Sequence, residues 1–462
     1  MSQGLKSLAT TPEGVQRAAE LIDGLDQAFM VGFGRLGAEQ LRTLDTLGKA
    51  FTGTPLDARL SEALAAVRRN EFVEKHFVAL AAARSALQGA QHDALSAQAA
   101  EALGRPALGE APGVEADVQA QPSHHEVYLE SVRHWLMEVA LGGFLQLTPE
   151  TLLPFGATLE KLQAEPGLLR ASSLLTGFFE ELVFSMPVSA LHEVPAHRWV
   201  DLWSRAMVLS VKTPPPVRRE AASGNMHLMG VDLRQHGFFA SAVFHALLVE
   251  GDSARHVRAT LSQYKVDVVF GTELWRLLGV KASRLVQALS EGKQLSVKDM
   301  PITQAGDFLW NDAKASLVSK LDVEGPASKW LVAGAKLQRC ALPGWDRHPA
   351  QLGELVYISD HRLTGREGSS PTLALADGTN LPVATERMAM ATDFSVTELG
   401  MGPVVGLLRY DRGGWRVQPL TLVKKGKKVE TLVLGSLAAG GSGKGALEIL
   451  RYKAGKLLRA KS

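Results

Sequence analysis

The amino-acid sequence predicts a multidomain α+β protein, with N-terminal helical blocks followed by β-rich central and C-terminal modules. Three observations predict it. Apolar residues recur with the 3.6-residue period of a helix up to about residue 210. From Met226 to Gly435 they fall instead into short β-branched and aromatic runs, some alternating with polar residues. And 462 residues exceed what one core holds, since single cores stop growing near ~250–300 residues. With 46% hydrophobic and 21% charged residues, the chain has the apolar content to bury several cores.

Residues 1–105 read as a helical domain. "TPEGVQRAAELIDGL" opens with Thr11 as N-cap, Pro12 at the first helical position and Glu13 at the positive end of the dipole, and Val15, Ala18, Ile22 and Leu25 form one stripe. Further stripes run through Leu41, Leu44, Leu47 and Phe51, through Leu60, Leu64 and Val67, and through Val73, Phe77, Leu80 and Leu87. Residues 106–122 are a linker, part of "RPALGEAPGVEADVQAQPS" with its prolines and glycines and no aromatic residue. A second helical domain spans 123–210. It opens on the capping-box spacing of Ser123 and Glu126, restarts at "LTPETLLPF", and places Trp199, Trp203 and Met207 at helical spacing, as buried core.

Residues 211–225 form a Pro-rich linker, because Pro214–Pro216 cannot continue a helix. Residues 226–325 read as a small antiparallel sheet with helices: "MHLMGVDLRQHGFF", "ASAVFHALLVE", "HVRATLS" and "KVDVVFG" as strands, then "ELWRLLGVKASRLVQALSEG" as helix. Residues 326–435 read as a β-rich module built from "SKWLVAGAKLQ", "GELVYIS", "PTLALADGTNLPVA", "VVGLLRY" and "GWRVQPLTLV". Asp377-Gly378 and "DRGG" supply its hairpin turns. Residues 436–462 make a Gly-rich hinge and a basic C-terminal helix. No internal repeat of about 20–50 residues is strong enough to indicate a solenoid.

Several catalytic templates fail at named positions. "LGSLAAGGSGKGALEIL" resembles a phosphate-binding loop, but Ala438 stands where the first glycine belongs and Gly445 where the magnesium-binding hydroxyl belongs. "GFGRLG", Gly32–Gly37, matches a dinucleotide-binding spacing in helical surroundings, where it is better explained as a turn between helices. "HEVYL" at His125 lacks the second histidine of a metalloprotease helix, and "HEVPAH" spaces it one residue too far, with Pro195 between. No metal and no cofactor are therefore expected. Cys340 is the only cysteine, which excludes disulfides and cysteine-rich zinc sites and fits a reducing compartment. "MSQGLKSLATTPEG" has no apolar core of signal-peptide length, and no run of ~18 uncharged apolar residues occurs. A cytoplasmic location without membrane contact is the expectation.

Two features carry candidate function. In "GVDLRQHG", period two puts Asp232, Arg234 and His236 on one face of a strand, where a carboxylate, a guanidinium and an imidazole can bind an anion or exchange protons. At the C-terminal end, ten Lys or Arg against Glu430 and Glu448 give residues 424–462 a charge of +8, in a chain whose total is +2. Lys424, Lys425, Lys427, Lys428, Arg451, Lys453, Lys456 and Arg459 would meet a phosphate backbone or an acidic partner, although Tyr452 alone offers stacking. The expected function is that of a non-catalytic scaffold or accessory subunit acting through protein–protein contacts. The alternatives are a nucleic-acid-associated protein binding through the basic end, and an enzyme or anion-binding site built on Asp232, Arg234 and His236.

Overall fold

The computed structural model describes residues 5–108, 123–186, 194–211, 218–236, 239–266, 269, 272–279, 283–365, 370–388, 395–424 and 430–433. The protein is α+β, and it divides into two compact units. One comprises Pro12–Ala94 and Pro112–Pro216; the other comprises Met1–Thr11, Leu95–Ala111 and Val217–Ser462. The seven segments read along the sequence are thereby grouped, because helices on both sides of residues 106–122 share one core and the strands on both sides of residue 325 share sheets.

In the helical unit α1 (Val15–Val31), α2 (Ala38–Ala50), α3 (Asp57–Arg68) and the first part of α4 (Glu74–Ala102) pack with α5 (Ser123–Gly142), α6 (Pro149–Leu152), α7 (Gly156–Ala164), α8 (Leu169–Phe184) and α9 (Ala196–Val211). Most of the stripe residues expected from the sequence face inward: Leu25, Leu44, Leu60, Phe77, Val132, Trp199 and Trp203 lie in that core together with Phe29; Leu41 and Leu87 are partly buried against it, and Val73 is exposed. Burying each such side chain stabilises by about 1.5–3 kcal/mol relative to exposure, which is why the helical period matters more than propensity here.

A short motif occurs twice in this unit. After α1, Gly32 takes φ 96°, Phe33–Arg35 form one 3-10 turn, Leu36 is extended, and α2 starts; after α5, Gly143 takes φ 80°, Phe144–Gln146 form the same turn, Leu147 is extended, and α6 starts. The aromatic seats match as well, Phe33 meeting Phe77 edge-on at 5.4 Å and Phe144 meeting Trp199 edge-on at 5.3 Å. The two glycines touch. A Cβ on Gly143 would stand 2.5 Å from the Gly32 nitrogen, and a Cβ on Gly32 would stand 2.6 Å from the Gly142 oxygen, so the ends of α1 and α5 meet at backbone distance. "GFGRLG" is thus a turn between helices, as expected. The repetition itself was not legible, because the two copies share only the Gly-Phe pair and a leucine three residues on.

In the β unit β1 (Arg219–His236), β2 (Phe239–Glu250) and β3 (Ser253–Tyr264) form an antiparallel meander, followed by α10 (Thr272–Leu278), α11 (Ser283–Glu291), β4 (Lys293–Thr303), β5 (Asp307–Phe308), β6 (Ala315–Lys320), α12 (Glu324–Trp330) and β7 (Leu337–Gln338). These strands make one seven-stranded sheet that closes on itself, because β1 pairs with β2 along its C-terminal half and with β4 along its N-terminal half, while β3 and β4 both pair with β5. Met226, Leu228, Phe244, Leu248 and Met300 line one face with Trp275 of α10 and Leu285 of α11. A second sheet runs β14 (Glu430–Val433), β13 (Gly414–Lys424), β12 (Val404–Asp411) and β8 (Glu354–Ile358), and a third joins β11 (Asn380–Pro382), β10 (Thr372–Leu375) and β9 (His361–Thr364).

The other face of β1 and β2, with Met229 and Leu247, packs on Leu355, Leu407 and Leu420 of the second sheet. Gly230 (φ 145°) is the crossing point: a Cβ there would stand 2.4 Å from the Leu420 Cβ. Only glycine lets β1 pass so close to β13.

Several segments differ from the sequence expectation. β3 ends at Tyr264, so Lys265, Val266 and Val269 of "KVDVVFG" lie outside the strands, and the rest of that stretch lies outside the described residues. "SKWLVAGAKLQ" contributes the end of α12 and two residues of β7, because Val323, Ala327, Trp330 and Leu331 are buried at helical spacing and the Asp322 side chain accepts from the Gly325 N–H at 3.0 Å to start the turn. "ELWRLLGVKASRLVQALSEG" forms two helices, α10 and α11. β1 begins at Arg219, inside the segment read as Pro-rich linker.

Candidate functional site

β1 carries the sequence-predicted trio. Its register against β2 pairs Asp232 with Val243, Arg234 with Ser241 and His236 with Phe239, so the three alternate onto one face. Asp232 is 1% exposed, although it reaches Arg234, whose side chain is 45% exposed, through Nε at 2.7 Å. The His236 side chain lies outside the described residues. The sequence could not show what the second sheet adds: Arg409 of β12 donates to Asp232 Oδ2 at 2.9 Å, Gln418 of β13 donates to Oδ1 at 2.8 Å, and Arg409 also donates to Gln418 Oε1 at 2.7 Å.

Burial alone would raise the Asp232 carboxyl, but the Arg409 and Arg234 guanidiniums and the Gln418 amide together leave it below its ordinary value. Burial pulls Arg409 down to about 10, against the attraction of Asp232. The carboxylate is therefore ionised and held from three sides. Chemically this is an ion pair bridging two sheets, with Arg234 as its one exposed member.

Further along the same face stands a second polar group. His245 Nδ1 and His256 Nε2 are 3.0 Å apart, so one imidazole donates and the other accepts, and both are neutral. Burial pushes His245 well below its ordinary value, with His256 and Arg409 adding to the effect, and pushes His256 to about 3. His245 Nε2 is buried without a hydrogen-bond partner among the described residues. Beyond His256, Glu354 of β8 binds Arg105 at 2.8 Å and Arg339 at 2.6 Å, and Arg339 also donates to the Ser96 hydroxyl at 3.0 Å. Arg258 holds Asp307 through two bonds, at 2.7 and 2.9 Å. Cys340 sits beside His256, donating to its carbonyl, and burial raises the thiol, which makes it a poor nucleophile. His245, His256, Glu354, Arg409 and Gln418 were not among the residues singled out from the sequence, since each acquires its role only by sheet packing.

On the opposite face of the second sheet a cavity of about 100 Å³ is lined by Leu5, Leu103, Val356, Ile358, Leu381 and Leu408. Asp377 at its rim accepts from the Thr379 N–H through Oδ1, while Oδ2 is buried and unpartnered among the described residues.

Of the basic residues, Lys424 ends β13 and pairs with Glu398 at 3.0 Å. Lys425, Lys427, Lys428, Arg451, Lys453, Lys456 and Arg459 lie outside the described residues, as does the glycine-rich stretch between Lys428 and Arg451. In the helical unit Arg84, fully buried, binds both oxygens of Asp26 at 2.8 and 3.0 Å, with His197 Nδ1 2.9 Å from Oδ2 and Asp201 3.3 Å from Nη1. Asp23, Asp26 and His197 converge there, and the Arg84 guanidinium already contacts two of the three, Asp26 at 2.8 and 3.0 Å and His197 Nδ1 at 3.4 Å. Among the described residues no helix is long and apolar enough to cross a membrane. Compared with protein-family models, with curated proteins and with solved structures, the chain matches none.

Proposed function

We propose that the protein is a non-catalytic scaffold or accessory subunit that works by binding another protein. The observation that carries this proposal is the exposed pair Phe239 and Tyr264. They stand opposite each other in the β2–β3 ladder with rings 5.8 Å apart at 76°, and they are 41% and 62% exposed, in strands whose other large apolar side chains are buried or, at Val249, half-buried. Alternation puts Phe239 on the same face as Arg234, so two aromatic rings and a partly exposed guanidinium share one end of the sheet. That composition is the one enriched at the energetic centres of protein interfaces. Asp232 supports the same proposal from the other side, because its oxygens are taken by Arg409, Arg234 and Gln418 and are not presented to a substrate.

The test uses tagged full-length protein, isolated from its native host after nuclease treatment, as wild type and as the Phe239→Ser, Tyr264→Ser double variant. A protein partner present at stoichiometric amount with the wild type should be depleted at least about tenfold with the variant, as loss of an interface hot spot of about 2 kcal/mol requires. Equal recovery from both would overturn the proposal. Recovery of nucleic acid alone, lost on truncation after Val423, would assign the function to the basic end.

A further inference from the structure

We propose that His124, His125 and Glu165 of the helical unit form a binding site for a divalent transition-metal ion, with Zn2+ as the ion their chemistry suits. His124 and His125 lie in the first turn of α5, and Glu165 is the C-cap residue that follows α7, some forty residues on in the chain. His124 Nε2 and His125 Nε2 both approach one oxygen of Glu165, Oε2, at 3.4 and 3.2 Å, and all three donor atoms lie within 4.8 Å of one another. Two imidazoles and a carboxylate are one of the donor sets that zinc takes with an open fourth position.

The spacing is the stronger argument. Ligand atoms about 2.0–2.1 Å from a tetrahedral ion stand about 3.3–3.4 Å apart, which the His124 separation of 3.4 Å meets and the His125 separation of 3.2 Å approaches, so an ion would be accommodated by a small side-chain shift. His134, the other histidine of α5, is directed elsewhere, toward Glu74 and Glu138.

The site is also held in place. The His125 ring lies against Gly167, where a Cβ would stand 2.8 Å from its Cε1, so the imidazole occupies space that any other residue would fill. Glu165 is fixed by the 3-10 turn Pro166–Leu168, whose Leu168 N–H donates to the Glu165 carbonyl at 2.9 Å. His125 is buried and Glu165 half-buried, while His124 is exposed, which leaves the remaining coordination position on the solvent side.

Full-length protein, stripped with a chelator that is then removed, would be titrated with Zn2+ by calorimetry and with Co2+ by visible absorption. The wild type should bind Zn2+ at micromolar or tighter affinity, give the intense ligand-field bands of four-coordinate Co2+, and gain thermal stability with added Zn2+. His124→Ala and Glu165→Gln should each weaken the binding at least about tenfold and abolish the Co2+ bands, while His134→Ala should change neither. His124 is exposed, so its replacement leaves the fold intact, and circular dichroism checks this. Unchanged stoichiometry and affinity in His124→Ala and Glu165→Gln, or a wild type that binds no Zn2+ below millimolar concentration, would overturn the proposal.

Discussion

A carboxylate buried between two sheets is stable only while its cations stay. Replacing Asp232 by Asn would leave Arg409 buried without its counter-charge, and the expected cost is about 3–5 kcal/mol, read as a lower urea midpoint at neutral pH. The pH dependence has a definite sign. Because the folded Asp232 value lies below the unfolded one, its contribution is complete above the ordinary carboxylate range and is lost as the solution is acidified below about pH 4. The imidazoles act in a different window. His256 titrates near 3 when folded against about 6.5 when unfolded, so the unfolded chain takes up the proton first and stability falls as pH drops below about 6.5. Between pH 7 and pH 5 that loss is about 2 kcal/mol for His256, with His245 acting in the same direction. His256→Gln should flatten the slope in urea unfolding series, and a variant that keeps the full slope would place the titration elsewhere. Of this site the sequence showed the Asp232–Arg234 pair, two residues apart on one strand face. It could not show Arg409 or Gln418, which lie 177 and 186 residues away along the chain and are brought in by sheet stacking.

The crossing of α1 and α5 turns on two glycines with positive φ. Gly32→Ala and Gly143→Ala each add backbone strain and a contact at 2.5–2.6 Å to main-chain atoms, and each should cost about 3 kcal/mol. Once one substitution has forced the helix ends apart, the second meets less resistance, so the double variant should lose less than the sum of the two in a double-mutant cycle. Additive losses would mean that the two positions are not coupled. Elements with strong local chemistry were legible from the sequence. The "DRGG" turn joins β12 to β13 with Arg412 at φ 52° and Gly413 at φ 77°, and Asp377-Gly378 joins β10 to β11. β4 was not legible. Its inward residues Leu295 and Val297 change phase to Met300 and Ile302 across a bulge at Asp299 (φ 49°), and Pro301 sits within it. α1 begins at Val15 and not at Pro12, because the Thr11 hydroxyl lies 3.3 Å from that of Tyr410 and is not used as a cap.

At the scale of the molecule, each unit has its own core, and the chain passes between them within α4: residues to Ala94 belong to the helical unit and residues from Leu95 to the β unit. Separate cores imply separable transitions, since multidomain proteins depart from two-state unfolding. In calorimetry, Asp232→Asn should lower one transition by about 10 °C and leave the other in place, while Gly143→Ala should do the reverse. One shared transition moved equally by both would show that the cores unfold together. The path of the chain has another result, which concerns synthesis. Leu5 and Leu8 are buried, their turn packs on β13, and Gln98 ties Ser7 and Thr10 to Trp415. About 400 residues must be translated between these leucines and β13, which at ~5–20 residues per second takes roughly 20–80 s. For that interval the ribosome displays two apolar side chains whose cover does not yet exist. How long they stay available to chaperones and proteases is therefore set by the speed of elongation through Trp415, and a pause in translation before that point would cost yield without any change in the finished protein.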